Sequence, residues 1–221
     1  MTPRSRPIGA APAIGHTRDL TVGDEIVSIV TAEPDPGESL STGVRRLAAA
    51  LVRKDLRGHH GPIRIATVLP SGRPVATDSG GLLPVAVSLA HDDGLMAAAA
   101  ADHCNVGVDV IAIESRSSGL DHWLDADERR WEERAGIPGL VWAAKESAYK
   151  AARLDTPFRP REIAVAAQGG DGFRFTWSYR WHVVTGSGRW MVEEGFLVAV
   201  AVAARHGQPR TVAAVERAAC S

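Results

Sequence analysis

Between residues 173 and 181 every second side chain is aromatic (Phe173, Phe175, Trp177, Tyr179 and Trp181), and the residues between them are Arg174, Thr176, Ser178 and Arg180. A helix would scatter these rings around its circumference. A strand, whose side chains alternate across the pleat, gathers them on one face. A strand with one apolar and one polar face belongs to an antiparallel sheet covered on one side. Residues 189–193 and 196–204 read as further strands of that sheet. The aromatic face reads as core, with a partner-docking stripe as the other use of such a face.

Upstream, the pattern changes period. Residues 140–153 are rich in Ala, Leu, Lys and Glu, with Pro157 beyond them, and predict the strongest helix in the chain. Asp125 or Asp127 can N-cap a helix over 128–134, which a Gly-Ile-Pro-Gly break ends. A third helix is predicted over 40–56, where Val44, Leu47, Leu51 and Val52 recur at helical spacing among Arg45, Arg46, Arg53 and Lys54. Segments 63–68, 85–90, 95–101 and 105–113 read as strands. Residues 71–74 read as a turn, 78–84 as a loop and 91–94 as a polar turn. Residues 1–22 are expected to form a flexible arm, 23–104 an N-terminal half and 105–221 a C-terminal half. The class is α+β.

Composition narrows the function. With 221 residues, 45% hydrophobic and 23% charged, the chain has the make-up of a soluble globular protein. Its formal net charge of −1 argues against a nucleic-acid partner. The longest apolar run, residues 196–204, is about half the length of a membrane span, and the first 17 residues lack the apolar core of a signal peptide. Two cysteines, Cys104 and Cys220, cannot build a disulfide framework. A reducing, cytoplasmic setting is expected.

Of the 25 basic residues only three are lysines: Lys54, Lys145 and Lys150. Where lysine persists in an arginine-rich chain, the compact ammonium itself is a candidate requirement. Two of the three lie in Trp142-Ala-Ala-Lys145-Glu146-Ser-Ala-Tyr149-Lys150. Trp142, Glu146 and Lys150 share one helical face there, which suits either a functional cluster or an exposed Glu–Lys pair beside a core tryptophan. Asp109 stands inside the apolar run Val106-Gly-Val-Asp109-Val-Ile111. Strand alternation puts it on one face with Gly107 and Ile111, either at a solvent-facing strand end or buried with a cation. His91 at a strand–turn junction and Glu128 in the first turn of a helix have ordinary structural readings too.

The order of these elements is more telling than any one of them. Gly107-Val-Asp109, an acid at Glu128, and then Trp142-x-x-Lys145-Glu146-Ser-x-x-Lys150 together resemble the signature of the 4′-phosphopantetheinyl transferase superfamily. Ser71-Gly-Arg73-Pro74 is similar to its Gly-(Lys/Arg)-Pro element, and His91 falls at its Ser-His-Ser segment. The likeness runs from about residue 40 to 204 and fits the larger, surfactin-synthetase-activating type. It implies two pseudo-twofold-related halves, each a small antiparallel sheet packed with helices, with coenzyme A between them and the metal site in the C-terminal half. Asp109 and Glu146 would bind Mg²⁺. Arg73, His91, Lys145 and Lys150 would contact coenzyme A, and Glu146 or Glu128 would take the proton of an acceptor serine. The implied reaction moves phosphopantetheine from coenzyme A to a serine of an apo acyl or peptidyl carrier protein and releases 3′,5′-ADP, in a monomer. Ile111 departs from the pattern where many relatives carry a second acid, as do Ala90 and Asp92 where they carry serines. A coenzyme- or carrier-binding module without catalysis is the alternative. Arg45, Arg46 and Lys54 offer either phosphate contacts or a solvated basic face.

Overall fold

The computed structural model describes residues 15–55, 61–115 and 118–205. The first sheet has six antiparallel strands: β1 (His16–Val22), β2 (Glu25–Ala32), β3 (Arg64–Val68), β4 (Arg73–Asp78), β5 (Gly81–Asp92) and β6 (Leu95–Ala101). They lie in the order β1-β2-β6-β5-β4-β3. Helix α1 (Leu40–Asp55) covers one face, sending Val44, Leu47, Ala48, Leu51 and Val52 onto Val30, Val87, Met96 and Ala98. The second sheet comprises β7 (Cys104–Ala112), β8 (Ile163–Ala167), β9 (Gly172–Tyr179), β10 (His182–Glu193) and β11 (Phe196–Ala204), in the order β7-β11-β10-β9-β8. Helices α2 (Ala126–Ala135) and α3 (Leu140–Ala152) pack on its outer face.

The inner faces of the two sheets meet in a third core, where Val22, Val27, Ile29, Ala97 and Ala99 face Val106, Val108, Val110, Val198 and Val200. The molecule is thus a four-layer stack of helix, sheet, sheet and helices, an α+β fold. Strand β6 is buried at all seven positions. It lies between the helix-covered core and the inter-sheet core, and its five consecutive alanines keep both packings close, although alanine alone favours helix.

The aromatic alternation holds as β9, whose Phe173, Phe175 and Trp177 are buried against α3. It stops short of Trp181. The chain turns at Arg180, where φ is 53°, and Trp181 is left 79% exposed. Two other boundaries move. Residues 16–22, grouped with the arm by composition, form β1, because their backbone pairs with β2 from His16↔Thr31 to Val22↔Glu25. Part of the expected loop at 78–84 belongs to β5, which starts at Gly81. Residues 1–14, with most of the expected arm, and Cys220 lie outside the described residues. Cys104 is buried and free. Among the described residues no helix is long and apolar enough to cross a membrane.

Candidate functional site beside the C-terminal end of helix α3

The two sheets are tied together by polar side chains at their junction. Strand β7 is the edge of its sheet, and its unpaired N–H groups need acceptors. Ser88 Oγ on β5 accepts from Val108 N–H at 3.0 Å, and Asp92 Oδ2 accepts from Ala112 N–H at 2.7 Å. Asp92, which departs from the family pattern where relatives carry a serine, therefore has a structural task. Glu193 on β10 accepts from Arg18 and, at 2.9 Å, from Thr31 Oγ1, both of the first sheet.

Helix α3 approaches β7 closely because Gly107 has no side chain: a Cβ there would stand 1.9 Å from Ser147 O and 2.6 Å from Ala151 N. The approach brings Lys150 over Asp109. Lys150 Nζ donates to Asp109 Oδ1 at 2.7 Å and to Val108 O at 3.0 Å, and lies 3.8 Å from Glu146 Oε2. Glu146, one helical turn back, is fixed by Trp142, whose indole N–H donates to its Oε1 at 2.9 Å. Trp142 in turn packs edge-on against Phe158 at 5.4 Å. Asp109 is buried, not solvent-facing. Burial drives its pKa up to about 7, and the adjoining Glu146 pushes the same way; the Lys150 ammonium opposes both without cancelling them.

The open side of this cluster is a cleft of about 570 Å³ between β4–β5 and the C-terminal end of α3. Arg45, Arg73, Lys150 and Arg153 line it, with Asp155 the one acid among the lining residues. Arg73 spans the cleft from the first sheet, donating to Arg153 O at 3.2 Å and pairing with Asp155 at 2.8 Å. Arg46 is engaged elsewhere, with Asp35 at 2.6 Å and Glu38 at 2.7 Å.

The expected site residues therefore divide. Arg73 and Lys150 line the cleft, and Asp109 and Glu146 meet Lys150 beside it. His91 does not line it and lies exposed near the end of β5. Glu128 and Lys145 form a separate buried pair, away from that cleft and beside a second one. Lys145 Nζ sits 2.8 Å from Glu128 Oε2 and donates to Pro160 O at 2.9 Å and Trp123 O at 3.2 Å, which uses up its three donors. Glu128 accepts from Val165 N–H at 3.2 Å and closes the capping box with Asp125. The polar contacts of both residues are made to the protein around them rather than to the cleft lined by Arg73 and Lys150. Arg153, Asp155 and Ser88 belong to the cleft or its frame and carry no local motif; only the fold brings them there.

No group of three or more His, Cys, Asp or Glu side chains that could hold a metal occurs among the described residues. The two neighbouring carboxylates of Asp109 and Glu146 still suit Mg²⁺, which takes one or two protein carboxylates and completes its shell with water and phosphate oxygens. A scan against models of known protein families gives no match, and a search of curated proteins finds no significantly similar sequence.

Proposed function

We propose that this chain transfers the 4′-phosphopantetheine arm of coenzyme A to a serine of an apo acyl or peptidyl carrier protein. The observation that carries the reading is the meeting of Asp109, Glu146 and Lys150, from a strand and a helix far apart in sequence, beside a cleft whose cation-rich wall includes Lys150. Such a wall suits a polyphosphate substrate, and the motif that resembles the transferase superfamily supplies these same three residues.

In this reading Asp109 and Glu146 would hold Mg²⁺, which supplies charge neutralisation on the pyrophosphate oxygens. Arg73 and Lys150 bind the anionic coenzyme and align it along the cleft. Glu146, kept in place by the Trp142 indole, takes the proton of the serine hydroxyl directly or through one water. The serine oxygen attacks the β-phosphorus, the bond from that phosphorus to the bridging oxygen breaks, and 3′,5′-ADP leaves. Both halves of the cleft come from one chain, so a monomer suffices.

The test is the intact mass of an apo carrier protein incubated with the chain, coenzyme A and Mg²⁺, with a chelator control. A gain of one phosphopantetheine that disappears with chelator supports the reading. No gain on acyl, peptidyl or polyketide carriers, with coenzyme A still bound, would move the assignment to the binding module without catalysis.

A further inference from the structure

The cations of the cleft differ in what already answers their charge. Lys150 has Asp109, and Arg73 has Asp155. Arg45 spends its guanidinium on Ile65 O and Thr67 Oγ1. Arg153 pairs with no acid among the described residues and makes one side-chain hydrogen bond, Nη2 to Val87 O at 2.8 Å. Its guanidinium is half-buried at the junction of the two sheets, with Arg73 and Arg205 as its charged neighbours. A guanidinium has five N–H donors, so most of its hydrogen-bonding capacity stays unspent.

The backbone is unusual as well. Arg153 caps α3 in the left-handed region, at φ 52° and ψ 33°. That conformation suits glycine and strains an ordinary L residue, so glycine is the common choice at such helix ends. A bulky side chain kept there, next to two other cations, points to a task beyond ending the helix.

We propose that Arg153 is the anion anchor of the cleft, its guanidinium taking a phosphate group of the ligand in a forked pair of hydrogen bonds. Burial first, and then Arg73 and Arg205, lower its pKa to about 10. The group stays charged at neutral pH, and the same positive field favours an anion. The assignment deepens the transferase reading and rests on it only for the identity of the ligand, a phosphate of coenzyme A. The residue lies outside the motif that suggested that reading.

The experiment is calorimetric titration of the purified chain with inorganic pyrophosphate, coenzyme A and 3′-dephospho-coenzyme A, comparing wild type with Arg153→Gly and Arg153→Asn. Both replacements tolerate positive φ, so either keeps the test open if the other fails to fold. Thermal melts should show Arg153→Gly no less stable than wild type, since relief of strain offsets the lost Val87 bond. Pyrophosphate and coenzyme A should bind the variants about tenfold to a hundredfold more weakly. A penalty that persists with dephospho-coenzyme A places the anchored group in the pyrophosphate, and one that vanishes places it at the 3′-phosphate. Unchanged pyrophosphate and coenzyme A affinity in the variants, or no pyrophosphate binding by wild type, would overturn the proposal. If binding depends on Arg153 but no carrier is ever modified, the anchor stands and the transferase reading falls. If carriers are modified and binding ignores Arg153, the reverse holds.

Discussion

Helix α3 carries two lysines five residues apart, each facing a carboxylate at nearly the same distance: Lys145–Glu128 at 2.8 Å and Lys150–Asp109 at 2.7 Å. Their surroundings separate them. The first pair is sealed, with side-chain exposures of 2% and 1%, and its remaining polar atoms are met by backbone groups. The second is 27% and 8% exposed, opens on a cleft, and has a second carboxylate, Glu146, beside it. A sealed and satisfied pair fixes structure. An open pair with one carboxylate too many can exchange its partners for a cation and a phosphate. The contrast separates frame from chemistry where the sequence presents a single motif.

The sharpest way to break the contrast is to cut both pairs in the same manner. Lys145→Met leaves Glu128 as a buried charge without its counter-ion and should cost about 3–5 kcal/mol of stability, read from denaturant melts. A loss under about 1 kcal/mol would mean that the pair is not sealed. Asp109→Asn should do the opposite, cutting turnover about a hundredfold or more while leaving stability unchanged or raised. Near-normal turnover would remove Asp109 from the site.

The same substitution isolates a pH effect. The folded-state pKa of Asp109 is raised to about 7, above the unfolded value of about 4. The folded protein therefore binds more protons than the unfolded one between those limits, and stability from this group falls as pH rises from about 4 to 7. Without Mg²⁺, the wild-type melting temperature should lose ground to Asp109→Asn across that window. Parallel curves would show that the carboxylate is better solvated than its burial implies.

The period-two aromatics placed β9, and the composition of residues 140–153 placed α3 to within a residue of its end, because both patterns report which face is buried. Asp109, Glu146 and Lys150 could be grouped because they lie in short motifs on two elements. Lys145 sits in the same stretch and pairs with Glu128 of α2, yet its place depends on which side of α3 faces β8 and which faces β7. One residue along a helix turns the side chain by about 100°, and no spacing rule says which side opens on the cleft. His91 lies outside the cleft lining because β5 contributes Val87, Ser88 and Leu89 to it, and His91 stands two residues further along the strand. Arg153 and Asp155 had no signal, because what they meet comes from β4 and β5, about seventy residues earlier in the chain.

Lys150→Arg tests whether the open pair needs the compact head group. The ammonium reaches Asp109 and Val108 O from one point, and a planar fork cannot repeat that geometry in the space above Gly107. About tenfold slower transfer is expected in the carrier assay, and a normal rate would show that charge alone matters.

The smallest expected effect is a gain. Ile111 shares a face of β7 with Asp109, and it lies by Gly139 at the start of α3, where a Cβ on the glycine would stand 3.7 Å from its side chain. Ile111→Glu would bring a third carboxylate to this face, near the positive end of the helix dipole. Without metal, the added charge should raise the Asp109 pKa further and lower stability. With metal it offers another oxygen ligand, so half-maximal turnover should need a few-fold less Mg²⁺. If metal-free stability falls but the Mg²⁺ dependence does not move, residue 111 lies beside the carboxylates without facing the ion. The open pair would then do its work with two acids, and its contrast with the sealed pair would rest on exposure and Glu146 alone.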